Sequence, residues 1–79
     1  MTNFRLRYER TRRGYKPDDM ARIIGLSHGN TYMIKERGGT CFKPKDIIAI
    51  AKEFNLTLDE VNYIFFDNQL PNGKVENAK

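Results

Sequence analysis

Glycine and proline interrupt this chain at short intervals, and that spacing limits what the chain can fold into. The interruptions in the first part of the chain fall at Gly14, Pro17, Gly25, Gly38, Gly39 and Pro44. Glycine commonly follows the last turn of a helix, and proline is favoured at the first helical position, where its missing N–H would be unpaired anyway. The segments between these residues therefore predict short helices. A length of 79 residues favours one domain.

Composition narrows the class of protein further. A single cysteine excludes a disulfide framework, and no apolar run is long enough to span a membrane. The first residues lack the apolar region of a signal peptide. These features predict a cytoplasmic protein. They also leave little chain for a catalytic cleft. Because no nucleophile–base pair, carboxylate pair or phosphate loop is evident, we do not expect an enzyme.

Positive charge is concentrated at the start of the chain. The whole chain has a formal net charge of +4, whereas residues 1–16 contain six basic side chains and only Glu9 as an acid. Such an asymmetry is typical of proteins that bind polyanions. An arginine-rich helix that is merely solvated is the alternative.

Two helices are predicted before Gly25. The first covers about residues 3–13, although the alternation of Phe4, Leu6 and Tyr8 leaves an extended start open. The second begins at Pro17, has two aspartates in its first turn, and continues through an apolar stripe that ends at Gly25.

The third predicted helix is unusual. It covers about residues 28–37, with Ser27 as the expected N-cap. Residues 29–35 are mostly mediocre helix formers, and Ile34 is the side chain that we expect to face the core. A helix with so little apolar content usually has side chains that are needed for another purpose.

Two further helices complete the pattern. The fourth begins at Pro44, and a capping box of Thr57 and Glu60 starts the fifth. The predicted core of the domain contains Ile23, Leu26, Ile34, Ile47, Ile50, Ala51, Phe54, Val61 and Ile64. We expect the domain to span residues 1–66 and residues 67–79 to form a C-terminal tail, either disordered or a weak hairpin.

The second and third helices have the spacing of a helix-turn-helix. Ala21 is small enough for two helices to cross closely, Gly25 permits the turn, and Leu26 fills the space between the helices, with Ile34 packing back onto the first of the pair. Many two-helix hairpins would satisfy this spacing.

The run from Asp19 to Ser27, followed by Glu36-Arg37-Gly38, resembles the lambda-repressor-like (Cro/CI, or XRE) helix-turn-helix family. Residues 42–66 are similar to the family's fourth and fifth helices, and the chain looks like small regulators from phages of Gram-positive bacteria. The resemblance covers about residues 4–66. It implies an all-α, five-helix DNA-binding domain whose third helix enters the major groove of an operator. It also implies a cytoplasmic, nucleoid-associated Cro-like repressor that binds DNA as a homodimer, without a cofactor or metal.

The same resemblance implies roles for individual residues. The family's base-contacting positions correspond to His28, Gly29, Asn30, Tyr32 and Met33. Phosphate contacts are expected from Lys16, Ser27, Lys35, Arg37, Thr40, Lys43 and Lys45. A structural ion pair is expected between Arg10 and Glu36. For Tyr32, packing against Phe42 is the alternative, and for His28 the alternative is a solvent-exposed helix start.

The chain departs from the family pattern at three places. Gly29, a weak helix former, stands where a base-reading polar side chain is common. Pro17 has no N–H for a phosphate, so Lys16 is expected to supply that contact. Glu36 lies one residue further from Ala21 than is usual, which predicts a longer or bulged third helix.

The end of the predicted domain contains several aromatic residues. Tyr63, Phe65 and Phe66 are more apolar than the end of a small domain requires, which is typical of a dimer contact.

A protein-binding module of the same fold, acting on a partner repressor, toxin or polymerase, is the alternative function. Cys41 is the only soft partner that His28 would have for a metal, so no metal site is expected.

Overall fold

The computed structural model of the protein describes residues 1–69, which form five α-helices. Their bounds are α1 (Phe4–Arg12), α2 (Pro17–Ile23), α3 (Gly29–Glu36), α4 (Pro44–Phe54) and α5 (Leu58–Phe66). This part of the chain contains no β-strand. The predicted all-α class is therefore confirmed. None of these helices is long and apolar enough to cross a membrane.

The predicted helix starts are present. α2 and α4 each have proline as their first residue, and the N–H of the preceding residue donates to an aspartate carboxylate three positions on. The pairs are Lys16 with Asp19, at 2.8 Å, and Lys43 with Asp46, at 3.0 Å. The capping box of α5 is also present, since the Thr57 N–H donates to Glu60 Oε1 at 2.7 Å and the Glu60 N–H donates to Thr57 Oγ1 at 3.1 Å.

The N-terminus of α3 differs from the prediction. Ser27 was expected to cap the helix, but the N-cap is His28, whose side chain makes no capping hydrogen bond. The helix is α-helical from Gly29 to Glu36, so the predicted lengthening or bulge is absent. The start of α1 is helical rather than extended, and of its three alternating apolar residues only Leu6 is buried.

The core lies where all five helices meet. Its buried apolar side chains are Leu6, Met20, Ala21, Ile24, Tyr32, Ile50, Phe54 and Ile64. Ile23, Leu26, Ala49, Leu56 and Phe65 are among the half-buried residues that pack against this cluster. The prediction for Ile34 is wrong, because 47% of this residue is exposed and Tyr32 supplies the buried side chain of α3 instead.

α5 is the last helix of the described chain. α5 ends at Phe66, and Asp67 and Asn68 follow with left-handed backbone angles. The predicted tail covers residues 67–79, of which residues 70–79 lie outside the described residues.

Candidate functional site

The two helices that the sequence predicts as a helix-turn-helix are α2 and α3, which contact each other more extensively than any other two helices of the described chain. Between them Gly25 adopts φ = +80°, a conformation that side chains disfavour. The next residue, Leu26, donates its N–H to the Ala21 carbonyl at 2.7 Å, which closes the end of α2. The turn is therefore tight, and α3 leaves it at a fixed angle.

Gly29 lies at the contact between the N-termini of α2 and α3, where its N–H donates to Asp18 Oδ1 at 2.9 Å. A Cβ at this position would lie 2.8 Å from the Asp18 nitrogen and 2.9 Å from the Pro17 carbonyl carbon. The expected base contact of Gly29 is therefore wrong, since the residue is buried. Glycine is present because the two helices approach too closely for any side chain.

Tyr32 is also turned away from solvent, with none of its surface exposed. Its hydroxyl donates to Glu36 Oε2 at 2.7 Å, and its ring packs 6.0 Å from that of Phe42. Burial, and then the hydrogen bond to Glu36, raises the pKa of the Tyr32 hydroxyl. Of the two interpretations of Tyr32, packing against Phe42 is the one observed, and a contact of Tyr32 with DNA is excluded in this conformation.

The expected contact between Arg10 and Glu36 is present. Arg10 Nε lies 2.8 Å from Glu36 Oε2, and Arg10 Nη2 lies 3.2 Å from Glu36 Oε1. Arg7 Nε lies 3.1 Å from the same carboxylate, and Arg10 also donates to the Tyr15 carbonyl at 3.0 Å. Burial by itself raises the pKa of Glu36, but the hydrogen bonds from Arg10, Tyr32 and Arg7 outweigh it, so the pKa lies below its ordinary value. This network fixes the last turn of α3 against α1.

The exposed side of α3 consists of different residues from those expected. His28 and Asn30 are exposed as predicted, but Met33 is half-buried against the core. Thr31 and Ile34, which sequence reasoning did not assign to this surface, are exposed. The helical register could have identified them. Once Tyr32 and Glu36 are placed inward, Thr31 and Ile34 must lie on the opposite side.

Lys35 does not serve as a free cation. Its Nζ donates to the Cys41 carbonyl at 3.0 Å, lies 3.6 Å from Asp46 Oδ2 and lies 6.0 Å from the centre of the Phe42 ring. The expected phosphate contact of Lys35 is therefore wrong in this conformation, since its charge is already used to hold the first turn of α4 against α3.

Most basic side chains of the first segment are also engaged in ion pairs. Arg5 pairs with Asp67 at 2.8 Å, Arg12 and Arg13 pair with Glu9, and Arg7 and Arg10 pair with Glu36. These five arginines share three carboxylates, Glu9, Glu36 and Asp67, so part of the positive charge of residues 1–16 is compensated within the chain and part of it remains.

The cations without an ion pair are located elsewhere. Within residues 1–69 they are Lys16, Arg37, Lys43, Lys45 and Lys52. Lys16 precedes α2 and lines a shallow cleft with Asn30 and Met33 of α3. Arg37 is the C-cap of α3, and Lys43 and Lys45 belong to the start of α4, which Lys35 holds against α3. The first four therefore flank α3 on both sides, whereas Lys52 lies in the last turn of α4.

The remaining polar residues of the predicted site are exposed. Ser27, Thr40 and Cys41 are exposed, and no described group of three His, Cys, Asp or Glu side chains is arranged to hold a metal.

The aromatic surface at the end of the domain is larger than predicted. Tyr63 and Phe66 are exposed, but Phe65 is half-buried and packs edge-on against Phe42, with ring centres 5.5 Å apart. Phe4 and Tyr8 of α1 are exposed beside Tyr63, with which they line one cleft. We call Phe4, Tyr8, Tyr63 and Phe66 the aromatic patch.

Comparison with known proteins adds no identification. No protein-family model, curated protein or solved structure matches this chain. The resemblance to lambda-repressor-like regulators therefore remains a prediction.

Proposed function

We propose that the protein is a sequence-specific DNA-binding regulator of transcription, in which α2 and α3 form a helix-turn-helix and α3 enters the major groove. The observation that carries this proposal is the distribution of unpaired charge. Cations elsewhere on the described chain are largely held in ion pairs, whereas Lys16, Arg37, Lys43 and Lys45 are left unpaired around the exposed side of α3.

This arrangement matches what duplex DNA requires. The major groove admits one α-helix, and basic side chains at both ends of that helix meet the phosphates on the two groove walls. The buried network of Arg10, Tyr32 and Glu36 holds α3 rigidly, which limits the loss of side-chain and helix freedom on binding. Asp18 lies with Lys16 at the N-terminal end of α2, and its carboxylate accepts a hydrogen bond from the Gly29 N–H.

We further propose that the aromatic patch joins two copies of the chain. Small regulators of this type gain affinity by binding two half-sites about one helical turn of DNA apart. The patch lies on α1 and α5 and shares no residue with the exposed side of α3. A second copy of the chain and a DNA duplex would therefore contact different residues. From the sequence resemblance we propose a Cro-like repressor of phage origin.

The test is selection of duplexes from a random library by the full chain at moderate salt, followed by affinity measurements on the enriched sequence. We expect one enriched motif with two related half-sites, and an affinity that falls steeply with salt, by about 0.9 in log–log slope for each phosphate contact. Selection of no preferred sequence would contradict the proposal. A chain that ignores DNA but shifts the binding of a partner regulator would instead support the protein-binding alternative.

A further inference from the structure

The two sides of α3 differ sharply in chemistry. Gly29, Tyr32 and Glu36 are buried and Met33 is half-buried, and these positions share one side of the helix. Asn30, Thr31 and Ile34 are exposed on the opposite side. If α3 enters the major groove as proposed above, these three side chains face the base edges.

Ile34 has no evident structural reason to be apolar. It is 47% exposed, and Tyr32 rather than Ile34 fills the core. Its side chain nevertheless lies next to the turn that follows α3. A Cβ on Gly39 would lie 2.8 Å from Ile34 Cγ2, and the Gly39 N–H donates to the Ile34 carbonyl at 2.8 Å. A β-branched side chain in a helix has one strongly preferred χ1 rotamer, so Ile34 presents a fixed apolar surface.

The exposed side of α3 contains no free cation between its ends. Lys35, the basic residue within the helix, is bound to the Cys41 carbonyl and lies close to Asp46. Guanine is recognised mainly by arginine or lysine, adenine by asparagine or glutamine, and the thymine methyl group by apolar side chains. The residues at the centre of this face therefore suit A·T base pairs.

We infer that Asn30, Thr31 and Ile34 recognise A·T base pairs at the centre of each half-site, with Ile34 packed on the C5-methyl group of a thymine. This inference rests on the proposed DNA-binding function and names the base chemistry that the site selects. Met33 and Gly29, which were also expected to contact bases, face the interior instead.

Deoxyuridine substitution tests the inference directly, because deoxyuridine pairs as thymidine does but lacks the C5-methyl group. In the duplex selected as above, each thymidine is replaced singly, and binding of the wild-type chain is measured by fluorescence anisotropy. We expect at least one position in each half-site at which affinity falls about fourfold, the loss expected for one buried methyl group.

The matched variants are Ile34→Ala and Ile48→Ala. Ile48 is an exposed isoleucine of α4 outside the proposed interface. Ile34→Ala should bind the thymidine and deoxyuridine duplexes equally well at that position, whereas Ile48→Ala should retain the wild-type difference. Thr31→Ser keeps the hydroxyl group and removes one methyl group, so it shows whether Thr31 shares the contact. Because neither Ile34 nor Ile48 is buried, both variants should unfold like the wild type.

The outcomes separate the inference from the function on which it rests. A selected half-site whose centre is G·C, or a deoxyuridine effect that persists in Ile34→Ala, would overturn the inference and leave the proposed function intact. Absence of any sequence-specific duplex binding would overturn both.

Discussion

Arg10 and Glu36 form an ion pair from buried positions, with Arg10 Nε 2.8 Å from Glu36 Oε2 and the two residues 7% and 0% exposed. The pair connects α1 to the last turn of α3. Removing one partner of a buried pair commonly costs about 3–5 kcal/mol, because the other charge is left uncompensated.

We therefore expect Arg10→Met to lower the free energy of unfolding by about 3 kcal/mol. The lower end of that range applies because Arg7 and Tyr32 still bond to Glu36. Urea denaturation followed by circular dichroism measures the change. Arg12→Met is the matched control, since Arg12 pairs with Glu9 at the surface and should change stability by less than about 1 kcal/mol. Equal effects of the two substitutions would contradict a structural role for the buried pair.

The same network predicts how stability depends on pH. The pKa of Glu36 is lower in the folded chain than in the unfolded chain. Its contribution is therefore fully present above about pH 4.5, the ordinary value, and is lost as the pH falls through the lower folded value.

We expect the stability difference between the wild type and Glu36→Gln to shrink as the pH is lowered below about 4.5. Urea midpoints measured at several pH values for both proteins give this difference. The pKa of Glu9 is also lowered, where bonds from Arg13 and Arg12 outweigh burial. Glu9→Gln should therefore remove a separate and smaller part of the acid sensitivity. A constant difference between wild type and Glu36→Gln would refute the assignment.

Gly29→Ala tests the close approach of α2 and α3. On helix propensity alone alanine would stabilise the protein by about 0.5–1 kcal/mol. Because the added Cβ meets the backbone of Pro17 and Asp18, we expect a net loss of about 1–3 kcal/mol instead. Asn30→Ala, at the adjacent exposed position, should change stability by less than about 0.5 kcal/mol. A Gly29→Ala chain that is more stable than the wild type would show that the helices can separate without penalty.

Lysine substitutions on α4 test the proposed DNA surface. Lys45 and Lys52 are both exposed and unpaired, but Lys45 lies in the first turn beside α3 and Lys52 in the last turn. Lys45→Ala should weaken binding of the selected duplex and reduce the salt slope by about 0.9, the share of one phosphate. Lys52→Ala should leave the slope unchanged. The measurement is anisotropy at a series of salt concentrations, and identical slopes for the two variants would place the interface elsewhere.

The aromatic patch predicts the behaviour of Phe66→Glu. A charge inserted into an apolar contact between copies is left desolvated, so we expect this variant to sediment as a monomer where the wild type forms a dimer. Ile48→Glu introduces the same charge on α4, outside the patch, and should sediment as the wild type does. Dissociation caused by Ile48→Glu alone would assign the contact to α4.

The positions of the helices could be predicted from the sequence. Proline at the first helical position and glycine after the last turn act through local backbone geometry, so Pro17, Gly25 and Pro44 could be interpreted without knowing the tertiary contacts. The capping box of Thr57 and Glu60 is local in the same sense.

Local sequence signals did not show which side chains of α3 are buried and which are exposed. Ile34 was assigned to the core because it is apolar. Tyr32 was assigned to a DNA contact from the family resemblance, with packing against Phe42 as the alternative. In the structure Ile34 is exposed and Tyr32 is buried. The Tyr32 hydroxyl donates to Glu36, one turn further along the same helix, and Glu36 is in turn held by Arg10 of α1, which is distant in sequence. The pairs of Arg5 with Asp67 and of Arg7 with Glu36 were missed because their partners are distant in sequence, whereas the pair of Arg10 with Glu36 was expected from the family resemblance.

The division of α3 into a buried and an exposed side has a consequence for how such a protein can change over evolutionary time. Asn30, Thr31 and Ile34 contribute no buried side chain, so substitutions there need not disturb the packing that Tyr32 and Glu36 maintain. Effects of changes at sites without shared partners are close to additive. If α3 reads DNA as proposed, substitutions at these positions change the recognised sequence while the packing beneath them stays under separate selection.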